Sequence, residues 1–139
     1  MSVLSTRVPL VFQTGDGAGE AKVSCRVEGD RRCVLRLWNG EVDITEEATD
    51  FFEALCKVRL KLEARGVFVA TYGGSRAVFP SGMCRDMGAG LKAYRLSLGQ
   101  RGGSLVEIFD TGPDLEVATV EQQRAFFKQW LSSIGIATT

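Results

Sequence analysis

Apolar and polar residues alternate with period two in the first third of the chain and recur at helical spacing in two later blocks. Residues 8–12 read as a first strand, closed by a glycine-rich turn at 15–19. In 21–27, Ala21, Val23, Cys25 and Val27 alternate with Lys22, Ser24 and Arg26, the period of a half-buried strand. Gly29 and Asp30 supply a turn, and 34–38 resumes the alternation with Arg36 pointing the other way, so an antiparallel hairpin is predicted. Asn39-Gly40 ends it with a second turn signal.

The next block predicts a helix over 45–65. Phe51, Leu55, Val58 and Leu62 form one apolar stripe. Thr45 is suited to cap the N-terminus, and Glu46, Glu47 and Asp50 would lie at the positive end of the helix dipole. Lys57, Arg59, Lys61 and Arg65 gather towards the other end, where Gly66 can stop the helix in a left-handed conformation. Residues 67–72 follow as a strand apolar enough for a central place in a sheet. Residues 93–98 and 105–109, joined through Arg101-Gly102-Gly103, predict a second hairpin. A final helix starts at Thr119, whose spacing to Gln122 matches a capping box. Phe127, Trp130 and Ile134 share a face of that helix, with Phe126 and Leu131 nearby, and Gly135 ends it. The order predicts an α+β fold: a five- or six-stranded, largely antiparallel sheet with two main helices packed on one face, in a single domain over 1–139.

Composition narrows the chemistry more than the fold. The 139 residues are 45% hydrophobic and 24% charged, ordinary values for one globular domain. Seventeen basic residues cancel seventeen acidic ones, so no nucleic-acid partner is expected. No stretch approaches the roughly 20 apolar residues that span a bilayer. The opening residues also lack the apolar core of a secretory signal, so a cytoplasmic protein with no membrane partner is expected. The chain contains no histidine, which removes Ser-His-Asp triads, Cys-His dyads and histidine bases. Cys25, Cys33, Cys56 and Cys84 form no C-x-x-C, so neither a metal nor a cofactor is expected. Any catalysis would fall to carboxylates, Lys, Arg, Tyr or an activated thiolate, which favours a non-enzyme.

Residues 67–98 concentrate what chemistry there is: five glycines, one proline, one thiol and four basic groups between two strand-like runs. Ser81 can cap a short helical turn that Gly88 terminates, which would put Cys84 near a helix N-terminus beside Arg85 and Arg76. Cys84 is thus a candidate reactive thiol, set against the plainer reading of a packed sulfur. The glycines at 73–74 and 88–90 suit anion binding, although neither run matches a phosphate-loop spacing. Arg76, Met83, Arg85, Asp86, Lys92 and Tyr94 combine the residue types that interfaces favour.

Tyr72-Gly73-Gly74, Phe79-Pro80-Ser81-Gly82-Met83, the run from Arg85 to Gly90, and Ala93-Tyr94-Arg95-Leu96 together resemble small bacterial proteins of the toxin-immunity type. The resemblance covers 72–96 and brings no established active site; it implies a binding protein. Two functions therefore follow. The first is a non-enzymatic cytoplasmic binding protein that recognises another macromolecule, such as a toxin it neutralises, with those six residues in contact. The second is a small enzyme or ligand-binding protein whose loop 73–92 holds an anionic metabolite, with Cys84 or Asp86 near the chemistry.

Overall fold

The structure is a computed structural model that describes residues 2–14 and 18–136. Five strands, β1 (Ser2–Phe12), β2 (Ala18–Glu28), β3 (Arg32–Trp38), β4 (Asp43–Ala48) and β5 (Val67–Val69), form an antiparallel sheet in the order β4-β3-β2-β1-β5. A smaller antiparallel sheet of β6 (Val78–Phe79), β7 (Lys92–Arg95) and β8 (Leu105–Glu107) has the order β6-β7-β8. Three helices complete the α+β fold: α1 (Phe51–Glu63), α2 (Gly82–Met87) and α3 (Val120–Ser133), with a 3-10 turn at Tyr72–Gly74. The predicted turn at 15–19 falls largely on residues 15–17, outside the described residues.

The alternation in β2 and β3 sorts their side chains as expected. Ala21, Val23, Cys25, Leu35 and Leu37 are buried beneath α1, whose stripe of Phe51, Leu55, Val58 and Leu62 completes the core. The opposite sheet face is charged, and its arginines pair across strands, Arg7 with Glu20, Arg32 with Glu47 and Arg36 with Asp43.

The helix predicted over 45–65 is shorter at its start. Residues 43–48 are strand β4, in which Ile44 is buried and Glu47 and Asp43 meet arginines of β3 across the sheet. Those cross-strand pairs outweigh the helix-start signal in the acidic run. The cap is Asp50, not Thr45: its Oδ1 accepts the Glu53 N–H at 2.8 Å. Gly66, at φ +70°, follows the helix as predicted. β5 is an edge strand rather than a central one, because it pairs only with Leu10–Phe12 before the chain enters the 3-10 turn.

One polar group lies where the apolar stripe predicts none. Arg59 of α1 is only 2% exposed, and Gln123 of α3 only 1%. Arg59 donates to the carbonyls of Gly73 and Ala118, both at 3.0 Å, and to Gln123 Oε1 at 2.6 Å. The Gln123 amide in turn donates to the carbonyls of Gly73 at 3.1 Å, Ser75 at 2.9 Å and Val78 at 2.8 Å. No carboxylate among the described residues is hydrogen-bonded to this guanidinium, and burial pulls its pKa below the ordinary value. A buried cation is tolerable only when its donors are filled, and here carbonyl dipoles fill them.

Gln123→Leu keeps the volume but leaves Arg59 and three carbonyls short of partners. Urea denaturation should show it less stable by about 3 kcal/mol. Lys128→Ala, exposed on the same helix, should stay within about 0.5 kcal/mol. Equal midpoints for the two variants would contradict this account of the network.

Candidate functional site

The glycine-rich segment is built for close packing rather than for open amides. A Cβ on Gly73 would lie 2.6 Å from Leu55 Cδ2, and one on Gly74 would strike the Val69 carbonyl. One on Gly90, at φ +72°, would meet Asp50 Oδ1 at 2.7 Å. The amides are engaged as well: Tyr72 donates to Asp110, Gly73 to Ile108, Gly74 to Thr71, Arg76 to Glu116, and Gly88 and Gly90 both to Cys84. These glycines present no converging set of free N–H groups to an anion.

α2 forms as the Ser81 and Gly88 signals predict, with Ser81 Oγ accepting the Cys84 N–H at 3.1 Å. It lies across the start of α1. The Phe51 N–H reaches the Ala89 carbonyl at 2.7 Å, and Arg85 Nη1 sits 3.0 Å from the buried Asp50 Oδ2. The Arg85 guanidinium also covers the Phe52 and Phe79 rings at 5.3 and 5.4 Å. On the other side of the helix, Asp86 pairs with Arg31 at 2.9 Å.

Between α2, β7 and α3 opens a cleft of about 550 Å³. Its walls are Phe79, Met83, Tyr94, Leu96, Phe127 and Trp130. Phe79 stacks on Phe127 with centroids 4.0 Å apart, and Phe127 leads to Trp130 at 6.0 Å. The rim is the β7–β8 connection, Arg101, Gly102 and Gly103. That connection is fastened to α3 three times. Trp130 Nε1 donates to Gln100 O at 2.8 Å, the Gly99 N–H donates to Ser133 Oγ at 2.8 Å, and Arg101 Nη2 donates to Ile134 O at 3.0 Å. Gly103 packs on the Arg95 backbone, where any Cβ would collide with the carbonyl.

The predicted contact residues divide. Met83 and Tyr94 line the cleft. Arg85 and Asp86 brace α2 through their ion pairs. Lys92 is exposed and borders a second, polar depression of about 440 Å³. Arg76 lies elsewhere, paired with Glu116 at 3.0 Å and stacked over Phe126 at 4.4 Å. The two arginines expected to flank Cys84 are therefore bound to carboxylates, and the thiol itself is half-buried.

Phe127, Trp130, Arg101 and Met87 were not legible as site residues. The first two fit a core face, and Arg101 fits a turn. The available signal for Met87 was its helical spacing from Met83, four residues on within a helix too short to bury both.

Tyr72 and Arg95, which line the polar depression, join Asp114 in a second cluster. Tyr72 Oη donates to Asp114 Oδ1 at 2.6 Å, Arg95 Nη2 donates to Tyr72 Oη at 2.9 Å, and Arg95 Nε lies 3.1 Å from Asp114 Oδ2. The Tyr72 hydroxyl, assisted by Arg95, holds the Asp114 carboxyl below its ordinary value of 3.8. Among the described residues no group of three or more His, Cys, Asp or Glu side chains is arranged to hold a metal, and no helix is long and apolar enough to cross a membrane. No protein-family model and no curated protein matches this chain.

Two measurements follow. Burial pushes the Cys25 thiol up to about 12 and raises Cys33 and Cys56 as well. Alkylation of the native protein at neutral pH should therefore modify Cys84 first, and the other three only on unfolding, as read by peptide mass spectrometry. Equal labelling rates would refute this ordering. For Asp114, a lowered folded-state pKa means that its contribution is full above 3.8 and is lost as pH falls through the folded-state value. Between about pH 5 and about pH 2 the wild type should lose more stability than Asp114→Asn, and parallel denaturation curves would count against the cluster.

Proposed function

We propose that this chain is a non-catalytic binding protein that recognises another protein, with α2 at the centre of its contact surface. The observation that carries this reading is the pair Met83 and Met87, one helical turn apart and 70% and 83% exposed. They stand on a helix that buries none of its residues yet is braced by ion pairs to Asp50 and Arg31. Burying a side chain of this size stabilises by about 1.5–3 kcal/mol, so two methionines held out into water favour a covering partner. Met, Arg and Tyr are also the types enriched in interface cores. The braces leave little ordering to be completed on association. Met83, Met87 and Tyr94 offer the contacts, while Arg85 and Asp86 hold the platform. The matching surface on the partner is apolar at its centre and charged at its edge. A bacterial immunity protein that masks a toxin in the cytoplasm is the form of this function that the resemblance of 72–96 favours.

The test starts from chemical cross-linking in the source cells to identify the partner, followed by titration calorimetry of the purified pair. Met83→Asp/Met87→Asp, folded by circular dichroism, should weaken binding by at least about 30-fold, the effect of losing an interface hot spot. Arg76→Ala, away from α2, should stay within about threefold. A partner that binds the double variant as tightly as wild type would exclude α2 as the contact surface. A partner chemically converted by this protein would exclude a non-catalytic role.

A further inference from the structure

The cleft between α2, β7 and α3 carries an inference that does not rest on the protein-partner reading and shares only Met83 and Tyr94 with it. We propose that it is a binding site for a small amphiphilic anion, with an apolar body and one carboxylate head. Three observations converge on that chemistry.

The body of the site is apolar. Phe79 and Phe127 lie parallel within 13° at 4.0 Å, Trp130 extends the same wall, and Met83 supplies an adaptable surface beside it. A volume of about 550 Å³ falls within the range of small-ligand pockets.

Charge is confined to one end. Among the described residues that line the cleft, Arg101 is the only one with a fixed charge and none is acidic. Its guanidinium forms no ion pair with a described carboxylate. One of its nitrogens holds the Ile134 carbonyl, which fixes the group in place and leaves its other donors available. A planar guanidinium with open donors matches a carboxylate in two-point fashion.

The neighbouring backbone adds to it. The amides of Gly102 and Gly103 donate to no described backbone carbonyl, and Gly103 is held against the Arg95 carbonyl. Both glycines are exposed, so their N–H groups are open to an oxyanion held by the adjacent guanidinium. The hydrogen bonds from Gly99 and Arg101 to Ser133 and Ile134, and from Trp130 to the Gln100 carbonyl, hold that connection in position before any ligand arrives.

The test uses Trp130 as its reporter. Trp38 lies on strand β3 beneath Arg36, away from the cleft, so Trp38→Phe isolates the Trp130 emission. Dodecanoate, dodecanol and dodecyltrimethylammonium are titrated below their micelle concentrations, with stoichiometry from calorimetry. One dodecanoate per chain should bind and change the Trp130 emission saturably, at least about tenfold more tightly than dodecanol, with the cation weakest. Arg101→Gln, at an exposed turn, should retain its melting temperature and bind dodecanoate no more tightly than dodecanol. No saturable change, several molecules per chain, or equal affinity for all three heads would overturn the proposal. An undiminished preference for dodecanoate in Arg101→Gln would overturn the assigned head site.

Discussion

The guanidinium of Arg59 is the constraint on which the rest of the molecule depends. It sits in the core with no described carboxylate bonded to it and is held by oxygen atoms from three separated parts of the chain, Gly73, Ala118 and Gln123. A buried cation is stable only while those oxygens stay in place, so α1, the 3-10 turn and α3 are positioned together. Gln123 carries the constraint one step further by gripping the Val78 carbonyl in β6. The neighbouring residue of that strand, Phe79, then meets Phe127 of α3 at stacking distance. The aromatic wall of the cleft is thus a downstream result of a polar knot one helical turn earlier on α3 and one residue earlier on β6.

Where local pattern and tertiary packing agreed, the fold was readable. The alternation in 21–27 and 34–38, the capping box at Thr119 and Gln122, and the stop at Gly66 each rest on contacts within a few residues. The acidic run at 45–50 was ambiguous because charge before an apolar stripe serves a helix start and a cross-strand ladder equally well. The arginines that decided it, Arg32 and Arg36, stand on another strand. Arg59 was unreadable for a similar reason. Its spacing places it beside the apolar stripe, and only the approach of Gln123, 64 positions later, makes burial acceptable.

The site was legible as a region and not as a surface. Composition singled out 67–98, and Met83 and Tyr94 do meet in one cleft. Arg76 and Lys92 share that segment but face elsewhere, because the 3-10 turn and the short strands reverse the chain within a few residues. The glycines, which suited anion binding in the sequence, are instead the places where Leu55, the Val69 carbonyl and Asp50 come closest to the backbone. Half of the aromatic wall comes from α3, far along the sequence, where period and apolarity look the same for a core face and a cleft face.

The fastening of the β7–β8 connection to the last turns of α3 also sets an order in time. Gln100, Gly99 and Arg101 have their anchors at Trp130, Ser133 and Ile134. While a ribosome is still adding residues beyond the β8 hairpin, the rim has nothing to hold, and Phe79 lacks its stacking partner. Domains fold as units as the chain emerges. Here the cleft cannot form before α3 has been made, so a nascent chain that reaches only β8 carries Phe79, Met83 and Tyr94 without the wall that Phe127 and Trp130 supply.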